Sequence, residues 1–541
     1  MEAISPDDAR NFLASGKEVA ILDLREEGIF STGHLLFATN VPLSRLELLI
    51  GNLVPRLSTP IILCGEGDDA ALIFDGGERL KAFGYRNITY LDGGVDAWKK
   101  RGFQAFSGVN VPSKAFGEFV EEECKTPHIS ADELDRLRAL REDIVILDSR
   151  PLEEYQLMSI PGAINVPGAE LAYRIYDLVS NSKTKIVVNC AGRTRSIIGT
   201  QSLINARIPN PVMALENGTM GWHLAGKKLV SGKKDRYSKV SESGHKQAII
   251  KSNWLFKKFD IKKITTRLLA EFLSETERTT FILDVRDPTE FEMGHIPGSI
   301  SAPGGQLVQA TDQYVGVMGA RLVFVDNHDI RAVLTASWLK QMGWSDVFVL
   351  EGGIKSGGKL EVGEFKPKIL GYNDEVPRFI GAQEVNKLRK NALTAIIDLT
   401  NSLAYRDRGH IPGAIFAIRS RLKASIPRLG KNRHFILTSS DGTLATIASN
   451  DKVFINLNVQ VLRGGTNAWI KEGLPLEKGL SSMLDGPDDR WYRPYDQENG
   501  VDDEAMKKYL KWEVNLTSQI KRDGTAKFFT FSNLDLPEIS K

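Results

Sequence analysis

One cysteine of this chain stands in a loop whose only charged side chains are two arginines. The loop lies between a predicted strand and a predicted helix, in the sequence Val187-Val188-Asn189-Cys190-Ala191-Gly192-Arg193-Thr194-Arg195-Ser196. Cationic neighbours, a helix N-terminus and converging backbone N–H groups all stabilise a thiolate, which is the nucleophilic form of cysteine. We therefore predict that Cys190 is a catalytic nucleophile.

Four copies of one framework surround loops of this kind. Each copy opens with an apolar strand that ends in an acid, at Asp23, Asp148, Asp284 and Asp398, and three of the four acids belong to an Asp-x-Arg motif. A turn element follows, with His34, Ser159, His295 and His410 at one shared position. Each copy closes with a glycine turn, at Gly93-Gly94, Asn217-Gly218, Gly352-Gly353 and Gly464-Gly465. The acids are 114 to 136 residues apart, which is the size of a whole domain.

Short apolar runs alternate with amphipathic stretches in each copy, which predicts an α/β fold with a mostly parallel central sheet flanked by helices. The loop of Cys190 then lies beyond the carboxyl ends of the strands, where ligands bind in open sheets. We predict four tandem domains and a tail, with the limits 1–105, 128–230, 260–360, 378–478 and 480–541.

The Asp-x-Arg strand, the Gly-His-Ile-Pro-Gly turn, the loop cysteine and the closing Gly-Gly turn with its tryptophan together resemble the rhodanese family over about residues 1–478. The resemblance implies a sulfurtransferase that carries sulfur on its cysteine as a persulfide. It also implies a small-molecule donor such as thiosulfate, a thiol or cyanide as acceptor, and no cofactor. Four-copy members with one competent domain form a recognisable subgroup, which this chain resembles.

The four loops differ at the cysteine position. The first loop reads Cys64-Gly65-Glu66-Gly67-Asp68-Asp69, and its three carboxylates oppose thiolate formation and repel an anionic donor. The third loop has Asp326 and the fourth has Ser439 in place of the cysteine. We therefore expect domain 2 to be catalytic and the other three to be inactive, with Cys64 as a resolving thiol the open alternative.

The residues that follow Cys190 are the predicted substrate-binding loop: Ala191, Gly192, Arg193, Thr194 and Arg195. The guanidinium forks of the two arginines suit the oxyanion end of thiosulfate, and the alternative is a solvated helix start. Gly192 is expected to let the backbone curl so that its N–H groups converge on the bound sulfur. A persulfide anion held in this way requires no general base.

The histidines of the turn element, His34, His295 and His410, are predicted to be structural, because the competent copy has Ser159 there. The three cysteines form no C-x-x-C pair, and we predict no metal site. The Asp-x-Arg motifs are expected to be internal salt bridges, with a catalytic role of Arg150 as the alternative.

Two other functions stay open at this point. Some phosphatases share this fold and use a loop cysteine, but they separate cysteine and arginine by five residues, whereas four separate Cys190 from Arg195. The second alternative is a scaffold or persulfide sensor, because three of the four loops are disabled.

Composition sets the remaining limits. The chain has 541 residues, of which 42% are hydrophobic and 26% charged, and a net charge of +2, which indicates a globular protein without general attraction for nucleic acid. It has no apolar run near 18 residues and a first strand by about residue 19, so we expect neither a membrane span nor a signal peptide. Few cysteines, with the best one needing to stay reduced, favour a cytoplasmic location.

Two segments outside the copies carry further expectations. Residues 231–263 are lysine-rich but contain Trp254, Leu255 and Phe256. We interpret this segment as a linker that separates two pairs of domains and packs in part, with docking of an anionic partner, such as a sulfur-carrier protein or a tRNA, as the alternative. The tail beyond residue 480 is too apolar for a disordered end. It is expected to form a helix from about Asp502 to Lys521 and to pack on the domains, and lining of the Cys190 site by this tail stays open.

Overall fold

Four parallel five-stranded sheets organise the chain. A computed structural model describes residues 1–67, 69–375, 377–430, 433–497 and 502–531. Each sheet has the same strand order, in which the first strand of a copy lies at one edge and the third at the other: β1-β5-β4-β2-β3, β6-β10-β9-β7-β8, β11-β15-β14-β12-β13 and β16-β20-β19-β17-β18. The predicted α/β class is confirmed.

The strands of the first two sheets are β1 (Glu2–Ile4), β2 (Ala20–Asp23), β3 (Thr39–Asn40), β4 (Ile61–Cys64), β5 (Ile88–Leu91), β6 (His128–Ile129), β7 (Ile144–Asp148), β8 (Ile164–Asn165), β9 (Lys185–Asn189) and β10 (Val212–Leu215). Those of the last two are β11 (Lys262–Ile264), β12 (Thr280–Asp284), β13 (Ile300–Ser301), β14 (Arg321–Val325), β15 (Val347–Leu350), β16 (Phe379–Ile380), β17 (Thr394–Asp398), β18 (Ile415–Phe416), β19 (His434–Thr438) and β20 (Asn458–Leu462). The central strands are continuous runs of Val, Ile and Leu because helices cover both faces of a parallel sheet.

Helices connect the strands. The first twelve are α1 (Pro6–Ala14), α2 (Glu27–Phe30), α3 (Leu46–Leu53), α4 (Ala70–Ala82), α5 (Gly94–Lys100), α6 (Val111–Cys124), α7 (Ala131–Ala139), α8 (Leu152–Leu157), α9 (Glu170–Leu178), α10 (Thr194–Asn205), α11 (Gly218–Leu224) and α12 (Glu242–Phe259). The others are α13 (Thr266–Ser274), α14 (Pro288–Met293), α15 (Gly304–Gln309), α16 (Ile330–Gln341), α17 (Ala382–Leu388), α18 (Ser402–Asp407), α19 (Leu422–Ser425), α20 (Thr443–Ala448), α21 (Gly465–Lys471) and α22 (Asp503–Asp523). Short 3₁₀ turns complete the connections.

The sheets group into two compact units, and the grouping differs from the sequence prediction. One unit contains Met1–Ala9, Ala20–Val109 and Pro367–Gly500, which are the first and fourth copies. The other contains Arg10–Val19, Asn110–Lys366 and Val501–Lys541, which are the second and third copies with the tail. The interpretation of residues 231–263 as a linker between two pairs of domains is therefore wrong, because these residues connect the two copies of one unit.

Helix α12 of that linker explains the difference. It packs against both α9 of the second copy and α16 of the third. Its residues Ala248, Leu255 and Phe259 are buried at that junction, and the guanidinium of Arg207 lies 3.5 Å from the centre of the Trp254 ring. The apolar residues therefore join two copies, and the expectation that part of the segment packs is confirmed.

The tail forms helix α22, within two residues of the predicted limits, and this helix packs on α6. Met506, Leu510 and Leu516 are buried there, so this part of the tail packs as expected. The last ten residues of the predicted tail, 532–541, lie outside the described residues. In the described part of the chain, every helix is too short or too polar to traverse a lipid bilayer.

Candidate functional site: the Cys190 loop

The loop of Cys190 joins the end of β9 to the start of α10, at the carboxyl edge of the second sheet. Strand β9 lies between β7 and β10, so both of its neighbours end at the same edge. Asn189 stands opposite Asp148 in this register and donates from Nδ2 to a carboxylate oxygen of Asp148 at 3.0 Å. The ladder therefore fixes the residue immediately before the cysteine.

The glycine turn that closes the second copy supports the loop from below. Asn217 and Gly218 both have positive φ angles, 58° and 55°. Their turn presents the N–H of Thr219 to the carbonyl of Cys190 at 2.8 Å and the N–H of Met220 to the carbonyl of Ala191 at 3.0 Å. A side chain at Gly218 would collide with the Cys190 carbonyl. The glycine turn of the second copy therefore holds the Cys190 loop in position.

The thiol of Cys190 is buried, with 2% of the residue exposed. Its Sγ lies 3.5 Å from Oγ of Ser196, and that hydroxyl donates to the carbonyl of Arg193 at 2.7 Å. Ser196 lies in the first turn of α10, whose N-terminus carries a partial positive charge that favours an anion. The Ser196 hydroxyl and the first turn of α10 thus lie beside the sulfur.

Arg195 is held by two side chains. Its guanidinium donates to both carboxylate oxygens of Glu154, at 2.9 and 2.6 Å, and to Oε1 of Gln306 at 2.9 Å. Burial alone lowers the pKa of Arg195, but the attraction of Glu154 outweighs it and raises the pKa above its ordinary value, with a further contribution from Cys190. Arg195 is thus charged and close enough to Cys190 to interact with a thiolate.

Arg193 is held still more tightly. It donates to both oxygens of Glu118 at 2.7 and 2.9 Å, to Glu121, and to Oδ1 of Asn217 at 3.2 Å. Burial opposes the charge of Arg193, yet Glu118 and Glu121 raise its pKa. Both glutamates belong to α6, which precedes the second copy in the chain.

These contacts revise the charge that the sequence predicts for the loop. The arginines are the only charged residues within it, as expected, but folding brings a carboxylate to each of them. The positive charge of the guanidinium groups is therefore largely compensated. What stays positive toward the sulfur is the backbone of the loop and the N-terminus of α10.

Helix α22 covers the loop at Gly192. A Cβ added there would lie 2.9 Å from Oε2 of Glu513 and 3.3 Å from the ring of Tyr509. The φ angle of Gly192 is not in the left-handed region. The backbone curl expected of this residue thus does not require glycine, and its small size instead admits the tail helix. The tail therefore lines the Cys190 loop.

The carboxylate of Glu513 is fully buried beside the loop. It accepts from Lys114 Nζ and from the Tyr509 hydroxyl, both at 2.8 Å, and from Thr194 Oγ1 at 3.5 Å. Lys114 belongs to α6 and Thr194 begins α10, so this group connects three helices at the loop. The structure thus places the predicted residues from Cys190 to Arg195 together and surrounds them with residues from four other elements.

Sequence reasoning missed those surrounding residues: Lys114, Glu118, Glu121, Glu154, Gln306 and Glu513. They come from α6, α8, α15 and α22, which are distant in sequence from the loop. Only Glu154 carries a signal in the sequence, because Glu290 has the same position in the third copy and pairs in the same way with Arg331.

The loop of the first copy holds a protonated thiol. Burial, assisted by Asp23, raises the pKa of Cys64 far above its ordinary value, against a smaller opposing effect of Arg25. The expected suppression of the thiolate is confirmed, but burial is its main cause rather than the loop carboxylates. Asp68, one of those three, lies outside the described residues.

The third and fourth loops direct backbone N–H groups at the side chain in the cysteine position. The carboxylate of Asp326 accepts from the N–H groups of Asn327 at 2.6 Å, Arg331 at 2.9 Å and Ala332 at 3.4 Å. In the fourth copy, Ser439 Oγ accepts from the N–H of Ala445 at 3.3 Å. A side-chain acceptor thus occupies the centre of both loops.

The turn histidines are structural, as predicted. His34, His295 and His410 stack on Phe30, Phe291 and Tyr405 at ring distances of 3.6 to 3.8 Å. Burial lowers the pKa of His34 to about 4. The three rings therefore fill the interior of the turn, and the ring of His34 is neutral.

The Asp-x-Arg motifs are internal salt bridges, as expected. In the second copy, Arg150 binds Asp148 at 2.7 Å and the Met158 carbonyl at 2.6 Å. Arg25 and Arg286 make the equivalent contacts in the first and third copies. Each bridge ties the end of a strand to the turn element that follows it. Among the described residues, no group of three or more His, Cys, Asp and Glu is arranged to hold a metal ion.

Comparison with known sequences finds one domain family along the chain. The model of the Rhodanese-like domain matches residues 5–101, 130–225, 266–359 and 381–472. These matches contain four of the five strands of each sheet and all four loops.

Individual proteins extend this finding. A crystal structure of thiosulfate sulfurtransferase from Pseudomonas aeruginosa is 44% identical, with a TM-score of 0.92, and the match covers 98% of this chain and 99% of that one. An HTH-type transcriptional regulator, Rv0324 of Mycobacterium tuberculosis, is 36% identical over 99 residues, which are 18% of this chain and 43% of the regulator. Thiosulfate sulfurtransferase GlpE of Pseudomonas aeruginosa is 34% identical over 77 residues, which are 14% of this chain and 66% of GlpE.

Proposed function

The chain belongs to the rhodanese-like domain family, with four copies of the domain, and from this premise we propose that it is a sulfurtransferase that carries sulfur on Cys190 as a persulfide. The observation that carries the proposal is that Cys190 lies in the loop before α10 whose counterpart in the third copy directs backbone N–H groups at Asp326, the residue in the cysteine position. The 44% identity to a thiosulfate sulfurtransferase over nearly the whole chain supports the same activity.

The third copy illustrates why such a loop suits a persulfide. Three N–H groups hold the carboxylate of Asp326, which is an anion on a short side chain. A persulfide is likewise an anion on a short side chain, and Cys190 has the equivalent position in the second copy. Convergent N–H groups stabilise such an anion without a general base.

The reaction has two half-reactions. In the first, the Cys190 thiolate attacks the outer sulfur of the donor, so that an S–S bond forms on Cys190 while the donor's S–S bond breaks. When thiosulfate is the donor, sulfite is the leaving group. In the second, a thiolate or cyanide attacks the outer sulfur of the persulfide, leaves as a persulfide or thiocyanate, and restores the Cys190 thiolate. Such double displacement gives ping-pong kinetics.

The loop residues have distinct roles in this scheme. Ala191, Gly192 and Thr194 contribute backbone to the anion site, and Arg195 stabilises the sulfur anion through its proximity to Cys190. Two carboxylates bind Arg193 at the edge of the site. A donor oxyanion therefore has to compete with these carboxylates to bind Arg193. Ser196 positions the sulfur through its hydroxyl.

The cellular setting follows from the chemistry. A buried nucleophilic thiol has to stay reduced, which favours the cytoplasm. Cyanide and small thiols are the acceptors that fit the confined thiol, and a sulfur-carrier protein is an acceptor only if its terminus reaches the loop. The remaining alternative is a scaffold or persulfide sensor, since three of the four loops lack a reactive thiolate.

Turnover of thiosulfate with cyanide tests the proposal. We expect parallel double-reciprocal plots for the wild type and complete loss of turnover in Cys190→Ser. Cys64→Ser is the matched control and should keep full turnover, because Cys64 is protonated. Turnover that persists in Cys190→Ser would refute Cys190 as the sulfur carrier, and absence of turnover in the wild type would favour the scaffold. Faster hydrolysis of an aryl phosphate than turnover of thiosulfate would favour a phosphatase.

A further inference from the structure

The charge around the Cys190 loop bears on the choice of sulfur donor. The ion pairs that the structure describes next to the loop contain four basic groups, Lys114, Arg150, Arg193 and Arg195. They contain five carboxylates, Glu118, Glu121, Asp148, Glu154 and Glu513. With all groups ionised, the carboxylates exceed the basic groups by one.

The guanidinium forks are also occupied geometrically. Glu118 accepts hydrogen bonds from Nε and Nη2 of Arg193, and Glu154 accepts hydrogen bonds from both Nη atoms of Arg195. A bidentate oxyanion needs those same N–H groups. A dianionic donor would therefore have to displace a carboxylate from each arginine while approaching a site without excess positive charge.

We propose that the preferred sulfur donor of this protein carries at most one negative charge, as organic thiosulfonates and alkyl persulfides do, and that the thiosulfate dianion is a poorer donor. This inference rests on the proposed function, since it concerns the donor that loads Cys190. The loop still holds one anion, the persulfide, through its backbone N–H groups. Within the ion pairs that the structure describes beside the loop, each basic group already has a carboxylate partner, so none of them is left for the second charge.

A pair of donors of matched shape isolates the charge. Methanethiosulfonate has a methyl group where thiosulfate has a charged oxygen. Both transfer the outer sulfur to the Cys190 thiolate: the donor S–S bond breaks, the new S–S bond forms on Cys190, and the electron pair leaves on sulfite or on methanesulfinate. Each reaction conserves charge, and neither needs an oxidant or a reductant.

The sign of the salt dependence is the first readout. Loading of the wild-type full-length protein is followed by intact mass in single turnover, with each donor, over a range of ionic strength. Salt screens repulsion as well as attraction. We expect loading by thiosulfate to become faster relative to loading by methanethiosulfonate as salt increases. A relative rate for thiosulfate that falls with salt would overturn the inference, because it would indicate a positive site.

Neighbouring glutamates on α6 supply matched variants for the second readout. Glu121 binds Arg193, whereas Glu122 binds Lys521 on the exposed surface. Glu121→Gln removes one negative charge near the site. At the effective dielectric constant of partly buried pairs, this should raise the ratio of the thiosulfate rate to the methanethiosulfonate rate about five- to tenfold. The ratio in Glu122→Gln should stay at the wild-type value.

The two proposals fail in different ways. If neither donor adds sulfur to Cys190, the proposed function fails. If both donors load Cys190 but the ratio is the same in wild type and Glu121→Gln, only the inference about donor charge fails. The wild-type salt dependence decides the question even if Glu121→Gln does not fold.

Discussion

Cys190 differs from Cys64, Asp326 and Ser439, the residues at the same position in the other loops, in how its surroundings affect a negatively charged sulfur. At Cys64, burial keeps the sulfur protonated. At Asp326, the loop already holds a carboxylate, and Arg331 forms an ion pair with it at 2.8 Å. At Ser439, the loop holds a neutral hydroxyl. In the second copy, the loop residue is a thiol and Arg195 is close enough for its charge to interact with a thiolate.

Gly218 provides a residue-scale prediction. It has a φ of 55°, and an added Cβ would collide with the carbonyl of Cys190. Gly226 has a φ of 73°, with no atom within 4 Å of an added Cβ. Both alanine variants should lose about 1 to 2 kcal/mol of stability from backbone strain. Gly218→Ala should in addition lose most of its persulfide formation, because the loop must move.

Thermal unfolding and intact mass of the two glycine variants check this prediction. The control Gly226→Ala should load sulfur at the wild-type rate. A wild-type rate of sulfur loading in Gly218→Ala would show that the glycine turn does not hold the Cys190 loop in position.

Glu118 provides a pH prediction at the same scale. Burial raises its pKa to about 7 against the opposing effect of Arg193, and the neighbouring carboxylates Glu513 and Glu121 raise it further. Because this pKa is raised, Glu118 takes up a proton as the pH falls through about 7, and one negative charge beside Arg193 disappears. Loading by thiosulfate relative to methanethiosulfonate should then increase.

The rate ratio is the proper measurement, because any effect that is common to both donors cancels in it. The increase below about pH 7 should be absent in Glu118→Gln. An unchanged pH dependence of the ratio in that variant would show that another group is responsible.

At the scale of elements, helices from outside the second copy complete the site. Helix α6 supplies Lys114 and Glu118, α15 of the third copy supplies Gln306, and α22 of the tail supplies Glu513. Through these contacts, the third copy and the tail contribute to the site without a catalytic residue of their own. They set the charge and the access of the loop.

The ion pair between Lys114 and Glu513 tests the attachment of the tail helix. Glu513 is fully buried and Lys114 is 10% exposed at its side chain. Glu513→Gln leaves the ammonium without its counter-ion, and we expect a loss of about 3 to 5 kcal/mol. Glu504→Gln on the same helix alters an exposed pair with Lys507, which contributes little because solvent screens it.

Denaturant unfolding of the two glutamine variants measures this difference. Alkylation of Cys190 should also be faster in Glu513→Gln, because the helix covers Gly192 less firmly. Equal stability of the two variants would mean that the buried pair does not hold the helix.

The sequence predicts the elements well because their signals are local and occur four times. The strand acids pair with arginines two residues away in three copies, and the glycine turns and the loop cysteine are recognisable from a few adjacent residues. The partners of Arg193 and Arg195 lie from 24 to 111 residues away in the chain. No local pattern assigns such partners, which is why the sequence predicts a positive loop and the structure has a compensated one.

At the scale of the whole molecule, the order of copies in the chain is not their order in space. The second and third copies share a unit with the tail, and the first and fourth copies share the other. Sequence spacing indicates the number of domains but not which of them pack together, since packing depends on exposed apolar residues such as those of α12. The predicted domain limits themselves stay predictions.

The intact mass of the full-length protein, after incubation with each sulfur donor and removal of the excess, shows whether Cys190 carries sulfur. We expect the gain of one sulfur atom in the wild type and in Cys64→Ser, reversed by cyanide, and no gain in Cys190→Ser. Sulfur bound equally well by Cys190→Ser, or no gain in the wild type with any donor, would contradict this expectation.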